Sequence, residues 1–212
     1  MPNSPRAIQK SKIEAIIFDI GRVIIDLDPS RAIATIGAES TLAPDKLWQA
    51  VQADPLWLGW QEGRVTARQW CKNLIARFHT PTSFNEFCKA WNSVLVPKPL
   101  LPEHLFKRLS KKCRLVLLSN TDPIHVAYME SHFKFMRYFS KGIYSCDVGA
   151  SKPSLKIFRA AIKAAEAPPE RALYIDDIRE YVFAARAIGL NAIQFRSRRQ
   201  LEAALRARHL IR

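Results

Sequence analysis

The residues best placed for chemistry are acids that directly follow short apolar runs. Asp19 follows residues 15–18, and the adjacent pair Asp176 and Asp177 follows residues 172–175. Short runs without charged residues are typical of buried strands in parallel sheets. Ligands of such sheets bind outside the carboxyl ends of the strands, so these acids are candidates for one site. Taken singly, each of these signals has another explanation. Asp19 could be a surface acid that happens to end a strand, and Asp176 and Asp177 could cap the following helix.

Two further polar stretches lie between these acids along the chain. Residues 114–118 are apolar after Arg114 and lead into Ser119 and Asn120. Lys152 and Pro153 then precede a helical pattern. The order of one acid, a hydroxyl and an amide, a lysine and paired acids is far more specific than any one of its members.

These four stretches resemble the four motifs of the haloacid dehalogenase superfamily of hydrolases. They read Phe18-Asp19-Ile20-Gly21-Arg22-Val23, Leu117-Leu118-Ser119-Asn120-Thr121, Lys152-Pro153 and Tyr174-Ile175-Asp176-Asp177-Ile178-Arg179-Glu180. The first motif is similar to that of small-cap phosphatases, which include bacterial sugar-phosphate phosphatases. The resemblance implies a Mg²⁺-dependent phosphatase that acts on a small anionic phosphorylated metabolite.

The resemblance also implies a role for each motif. Asp19 is the expected nucleophile, which forms an aspartyl-phosphate and so divides hydrolysis into two steps. Asp19, the carbonyl of Gly21 and Asp177 are the expected Mg²⁺ ligands, and Asp176 acts through water or by hydrogen-bonding Lys152. Lys152 neutralises charge on the transferred group.

Substrate contacts are expected from the second motif. Ser119 offers a hydroxyl and Asn120 an amide to the phosphoryl oxygens. Arg22 stands where the family usually has Gly or Asn, which accept a positive φ more cheaply than Arg. Either this loop differs, or Arg22 points into the site and binds an anion.

Gly21 is a second departure from the family pattern. Most family phosphatases carry at this position an Asp that acts as general acid and base, and its loss typically costs ~10² to 10⁴ in rate. A substrate with a good leaving group needs such help less. Asp122, His125 or a residue of the segment that follows the first motif are the candidate replacements.

Two other functions remain open on the same scaffold. A 2-haloacid dehalogenase attacks carbon with the same Asp and needs no metal, so the pair Asp176 and Asp177 argues against it. The combination of Gly21 and Arg22 also suits a non-catalytic binding protein.

The pattern of apolar residues predicts a three-layer α/β sandwich with a mostly parallel sheet and an inserted helical segment. The expected core comprises residues 1–28 and 98–212, and the expected insertion comprises residues 29–97. In the core, strands are predicted at 114–118, 142–145, 172–175 and 192–195, and helices at 102–111, 125–133, 154–166, 179–188 and 200–208. Residues 24–28 are predicted to form a short extended flap.

The insertion is predicted to be a bundle of helices. Thr66 and Ser83 each begin a capping box that opens a helix. The insertion holds all five tryptophans of the chain, at 48, 57, 60, 70 and 91. We interpret them as core packing, with a substrate pocket facing Asp19 as the alternative. In the family, a segment at this place is a cap over the active site.

Composition limits the class of protein further. The chain has 212 residues, 48% of them apolar, and a formal net charge of +14. The basic residues are scattered, so we expect a solvated basic surface, and nucleic-acid binding is unlikely despite the charge. The polar start at residues 1–12 and the absence of a long apolar run predict a cytoplasmic protein that does not enter a membrane. Four widely spaced cysteines predict reduced thiols, and oligomeric state is left open.

Overall fold

A computed structural model describes residues 12–38, 42–79 and 82–212. Apart from Lys12, the polar start predicted over residues 1–12 lies outside the described residues. In the described part of the chain, no helix is long and apolar enough to cross a membrane.

A five-stranded parallel sheet forms the core, in the order β3-β2-β1-β4-β5. The strands are β1 Ala15–Phe18, β2 Arg114–Ser119, β3 Lys141–Tyr144, β4 Ala172–Asp176 and β5 Asn191–Gln194. Strand β1 is central, and all four of its side chains are fully buried. Both faces of β1 carry apolar side chains, as expected for a central strand of a parallel sheet, because helices cover both sides of such a sheet.

Alternation along the strands divides the core into two hydrophobic clusters. Ile16 and Phe18 point to one face, whereas Ala15 and Ile17 point to the other. The helices after the insertion are α6 Glu103–Leu109, α7 Pro123–His132, α8 Ser145–Val148, α9 Leu155–Ala165, α10 Arg179–Ala187 and α11 Arg198–Arg206. Helices α6, α7 and α11 pack on the first face, and α9 and α10 on the second. The predicted three-layer α/β sandwich is confirmed.

Among the described residues, five helices lie between β1 and α6. They are α1 Pro29–Ile36, α2 Pro44–Gln52, α3 Trp57–Gln61, α4 Ala67–Phe78 and α5 Phe84–Asn92. Both predicted capping boxes are present, since the hydroxyls of Thr66 and Ser83 accept from the backbone N–H of Gln69 and Glu86, whose side chains accept in return. We refer to residues 29–97 as the insertion.

The tryptophans of the insertion are packing residues, as interpreted from the sequence. Trp60, Trp70 and Trp91 are fully buried in one cluster, and Trp48 and Trp57 pack against it. The rings of Trp60 and Trp70 stack at 6.0 Å. The insertion therefore has its own hydrophobic core, distinct from the two clusters of the sheet.

Two antiparallel linkers join the insertion to the sheet. The backbone N–H of Asp28 donates to Val94 O at 2.8 Å, and that of Val96 donates to Asp26 O at 3.0 Å. Leu27 and Leu95 form the bridge between these bonds. The extended flap predicted at 24–28 is wrong over Ile24, which lies in a turn. Ile25 forms an isolated bridge with Gly21, and residues 26–28 pair with the returning linker.

Helix α7 begins two residues earlier than predicted. Asp122 is its N-cap and accepts from the backbone N–H of Ile124 and His125, with Pro123 in the first turn. The prediction placed its start at residue 125 and missed this Asp-Pro start signal. Strands β3 and β5 and helix α11 are each shifted by one or two residues, which is the usual uncertainty at element ends.

Candidate active site

The carboxyl ends of β1, β2 and β4 bring the predicted site residues to one edge of the sheet. Phe18 pairs in register with Leu117 of β2 and Ile175 of β4. Asp19 is thus level with Asp176, and its backbone N–H donates to Ile175 O at 2.9 Å. Sheet register, together with the apolar runs, places these acids side by side.

Lys152 reaches into this edge from the loop between α8 and α9. Its Nζ donates to Oδ1 of Asp19 at 2.6 Å and to Oδ2 of Asp176 at 2.7 Å. Only 2% of the side chain is exposed. Although burial alone lowers it, the two carboxylates raise the pKa of Lys152 to about 12. Lys152 is therefore a fixed positive charge between the two acids.

Asn120 holds the backbone of Lys152 in place. The N–H of Lys152 donates to Oδ1 of Asn120 at 2.7 Å, and Nδ2 of Asn120 donates to Lys152 O at 3.2 Å. The side-chain amide predicted to contact the substrate thus also anchors the lysine loop. Ser119 ends β2 and is buried at the same edge.

Asp176 is fully buried and has its carboxylate fully engaged. Besides Lys152, the hydroxyl of Tyr174 donates to Oδ2, and the N–H of Ile178 donates to Oδ1 at 2.8 Å. Tyr174 was missed from the sequence, although a residue two positions before an acid on a strand shares its face. Helix α10 has Ile178 as its N-cap and no side-chain capping bond. Asp176 and Asp177 therefore do not act as the N-cap of this helix, which was the alternative explanation for the pair.

Three carboxylates form a cluster that could hold a metal ion. Oxygens of Asp19, Asp176 and Asp177 lie within 4.8 Å of one another. Burial, opposed by Lys152 and reinforced by Asp176, raises the pKa of Asp19 to about 7. Burial and Asp176 also raise the pKa of Asp177. Because one lysine faces three acids, a further positive charge stabilises the ionised cluster, and hard oxygen ligands suit Mg²⁺.

The turn after Asp19 contains a residue with positive φ that is not glycine. Arg22 has φ 56°, in the left-handed region, and its N–H donates to Ile25 O at 2.7 Å. Arg22 therefore holds the positive φ that Gly or Asn would adopt more cheaply. The Arg22 side chain is exposed, and its charge opposes the rise in the pKa of Asp177. Arg22 therefore adds positive charge beside the cluster.

A family model described as haloacid dehalogenase-like hydrolase matches residues 13–189, most of the chain. The chain belongs to the haloacid dehalogenase-like hydrolases. The match includes all four stretches that the sequence analysis singled out and the helical insertion between the first two.

The chain is similar in sequence and in structure to phosphatases and other enzymes of this family. A D-ribitol-5-phosphate phosphatase of Bacteroides thetaiotaomicron is 24% identical over 86% of this chain and 91% of its own. The HAD-family enzyme BT-2542 of the same organism, in a crystal structure, is 25% identical with a TM-score of 0.78, covering 92% of this chain and 99% of that one. Another structure of it, in complex with magnesium and inorganic phosphate, is 26% identical with a TM-score of 0.74, covering 88% and 96%.

Asp122 and His125, two of the candidate replacements for the missing acid at Gly21, are engaged elsewhere. Asp122 Oδ2 accepts from the indole N–H of Trp91 at 3.0 Å and lies 2.9 Å from Nδ1 of His125. The other ring nitrogen of His125 lies 3.0 Å from Trp91 O. Both side chains therefore join the core to the insertion, a role that the sequence analysis missed because Trp91 is distant along the chain.

The insertion also contacts the lysine loop. Oε1 of Glu62 accepts from the N–H of Ser151 at 2.9 Å, and its other oxygen pairs with Arg64. This arrangement lowers the pKa of Glu62, although burial opposes the shift. Tyr181 completes this side of the site, with its ring 5.0 Å from Nζ of Lys152.

Proposed function

We propose that this protein is a Mg²⁺-dependent phosphatase that hydrolyses a small phosphorylated metabolite of the sugar- or polyol-phosphate class. The observation that carries the proposal is the cluster at the sheet edge, in which Asp19, Lys152 and Asp176 are buried and Asp177 is half-buried. The relatives named above, a ribitol-phosphate phosphatase and an enzyme crystallised with magnesium and phosphate, support it.

Asp19 is the nucleophile in this proposal. Its hydrogen bond to Lys152 uses Oδ1 and orients the carboxylate, while the ionised form is stabilised by positive charge in the site. An Asp19 oxygen bonds to phosphorus as the P–O bond to the leaving alkoxide breaks, and a proton from solvent neutralises the alkoxide. Water then attacks the aspartyl-phosphate, releases phosphate and restores Asp19.

Mg²⁺ would be held by Asp19, the backbone carbonyl of Gly21 and the side chain of Asp177. Asp177 is half-buried, whereas Asp176 already accepts from Lys152, Tyr174 and Ile178, so we assign direct ligation to Asp177 and a supporting role to Asp176. When bound, the ion neutralises repulsion between the phosphoryl oxygens and the carboxylates. Lys152 supplies the protein's own fixed share of that neutralisation.

Substrate binding is assigned to three polar residues of the edge. Ser119 offers its hydroxyl and Asn120 its amide to the phosphoryl group, with Asn120 also fixing the Lys152 loop. Arg22 is exposed beside Asp177 and attracts the anionic substrate.

The insertion is the proposed lid of the site. It has its own hydrophobic core, is joined by paired linkers at 26–28 and 94–96, and touches the lysine loop through Glu62. Such a lid excludes water and completes the site on closure. Residues 1–28 and 98–212 form the catalytic unit in this assignment. All four cysteines are free, which suits the cytoplasmic location we propose.

The test is a panel of phosphorylated sugars and polyols assayed for phosphate release with and without Mg²⁺. We expect release only with Mg²⁺, and none from the Asp19→Asn variant. Metal-independent halide release from 2-haloacids would instead select the dehalogenase. Substrate binding without turnover by the native protein would select the non-catalytic alternative.

A further inference from the structure

Helix α5 of the insertion is bound to the start of α7 by a buried polar cluster. Trp91 lies in the last turn of α5, Asp122 is the N-cap of α7, and His125 lies in its first turn. The rings of Trp91 and His125 stack at 5.7 Å, with 14° between their planes. Only 12% of the His125 side chain and 6% of the Asp122 side chain are exposed.

Both ring nitrogens of His125 face oxygens that can only accept. Nδ1 lies 2.9 Å from Oδ2 of Asp122, and Nε2 lies 3.0 Å from the backbone carbonyl of Trp91. Asp122 also accepts from the indole N–H of Trp91 and from the backbone N–H of Ile124 and His125, and these three donors favour its ionised form. If both contacts are donated hydrogen bonds, each ring nitrogen carries a proton and His125 is an imidazolium.

We propose that His125 is a positioning residue: as a buried imidazolium it holds α5 against the start of α7, shortly after Ser119 and Asn120, and so fixes the insertion over Asp19. The catalytic part of this proposal rests on the proposed function, whereas the protonation and docking parts do not. His125 touches none of the carboxylates at the sheet edge and acts through Trp91.

Trp91, which His125 contacts, lies close to the linkers that join the insertion to the sheet. Trp91 is three residues before Val94, which pairs with Asp28 in the linkers. The linkers are joined by two backbone hydrogen bonds around one bridge, a narrow ribbon that resists rotation weakly. At the far side, the lid meets the lysine loop through Glu62 and Ser151. The His125 cluster is thus a connection beside the hinge that restrains rotation about it.

Loss of the ring proton removes one of the two donated bonds. Although burial opposes the shift, Asp122 raises the pKa of His125, and His125 lowers the pKa of Asp122. The other titratable groups near the cluster are the thiols of Cys88 on α5 and Cys146 on α8, whose pKa values are raised by burial and further by Asp122.

The direction of the pH dependence follows from these shifts. A histidine with a raised pKa stabilises the folded state below its unfolded pKa, and that stabilisation is lost as pH rises through the folded value. An acid with a lowered pKa stabilises above its unfolded value, and the gain is lost as pH falls through the folded one. The connection is therefore intact between the lowered pKa of Asp122 and the raised pKa of His125.

Nitrogen-15 NMR of the histidine side chains tests the protonation state in the native protein without substrate. At pH 7.5 we expect both ring nitrogens of one histidine to carry protons, with that signal absent from His125→Asn. A neutral His125 ring with one unprotonated nitrogen at this pH would overturn the proposal, whatever the protein's activity.

Hydrogen exchange at the backbone N–H of Ser151 measures lid docking, also without substrate. We expect faster exchange at pH 7 in His125→Asn, which keeps a donor toward Asp122, and in His125→Gln, which keeps one toward Trp91. The control is His132→Asn, an exposed histidine on the same helix. Unchanged protection of Ser151 in both folded His125 variants would refute the positioning role.

The activity test uses para-nitrophenyl phosphate with Mg²⁺ from pH 7 to 10.5. We expect both His125 variants to lose about 10- to 100-fold in kcat, with a smaller change in KM. We also expect the rate to fall at alkaline pH in native protein and in His132→Asn, and this fall to be absent from the His125 variants. Persistence of that fall in folded His125 variants would refute the catalytic part. Failure of native protein to release phosphate from this compound and from the sugar and polyol phosphates would refute the proposed function and leave the NMR and exchange tests to decide this one.

Discussion

Glu62 of the insertion accepts a hydrogen bond, 2.9 Å long, from the backbone N–H of Ser151, the residue directly before Lys152. The next residue, Gly63, has φ 70° and packs so closely that a Cβ would lie 2.1 Å from the carbonyl oxygen of Cys146. The turn of the insertion at 62–63 is therefore seated on the core beside the lysine loop, 89 residues away along the chain.

Gly63→Ala is expected to unseat this turn. A methyl group at this position meets backbone atoms of Cys146 that cannot move aside, so the lid should close incompletely and kcat/KM should fall by about 10- to 100-fold. Gly149→Ala is the matched control, since Gly149 has a similar φ of 67° but a Cβ there would meet no atom closer than Nζ of Lys156 at 3.5 Å. Equal losses in the two variants would attribute the effect to backbone strain instead.

Asp19→Asn is expected to abolish phosphate release, by at least about 10⁴-fold, because the amide is not a nucleophile. The same change should raise the melting temperature at pH 8 without Mg²⁺. An acid whose folded pKa is raised, here to about 7, destabilises the fold above its unfolded pKa, and the cost is complete above the folded value. Near-native activity in a clean preparation would contradict the mechanism, and the exposed Asp45→Asn is the control.

Asp177→Asn and Asp176→Asn should have different effects. The Asp177 variant is expected to need more Mg²⁺ for half-maximal activity and to keep or gain stability, because burial and Asp176 raise the pKa of Asp177 in the fold. The Asp176 variant should lower the melting temperature, since buried Lys152 and Tyr174 lose a charged partner. Magnesium titrations and thermal unfolding of both variants measure this. A larger Mg²⁺ requirement in Asp176→Asn would reverse the assignment of the direct ligand.

Gly21→Asp is expected to supply the missing general acid. A Cβ at Gly21 would lie 3.1 Å from Cδ1 of Leu27, the flexible end of a side chain, so the site accepts a side chain after a small shift. In native protein, the rate on aryl phosphates should fall steeply as leaving-group pKa rises, and Gly21→Asp should flatten that slope. Gly21→Ala should keep the steep slope. A flat native slope would mean that another residue already donates the proton.

Arg22→Asn separates backbone conformation from charge. Asn tolerates the left-handed conformation at φ 56° better than Arg, so stability should stay equal or rise by up to about 1 kcal/mol. If Arg22 attracts the anionic substrate, KM should rise several-fold, with a weaker dependence on ionic strength than in native protein. An unchanged KM and salt dependence would remove Arg22 from the substrate-binding residues.

Much of the fold was determined by local patterns in the sequence. Apolar runs predicted β1, β2 and β4, and the residues after them predicted which side chains meet at the sheet edge. The capping boxes, Thr66 with Gln69 and Ser83 with Glu86 three residues later, predicted the starts of α4 and α5. These signals are local because strand periodicity and helix capping involve residues only two to four positions apart. Family resemblance then tied Asp19, Lys152, Asp176 and Asp177 to one chemistry.

Tertiary structure decided what depends on contacts between distant segments. The sequence alone left Asp122 and His125 as candidate acids, whereas packing of α5 on α7 commits both of them to Trp91. The contact of Glu62 with Ser151 gave no sequence signal, because its partner is a backbone N–H that any residue except proline provides. Buried polar groups are almost always hydrogen-bonded. The roles of Asp122, His125 and Glu62 therefore depend on which donors and acceptors the fold brings next to them, and distant segments of the chain supply these partners.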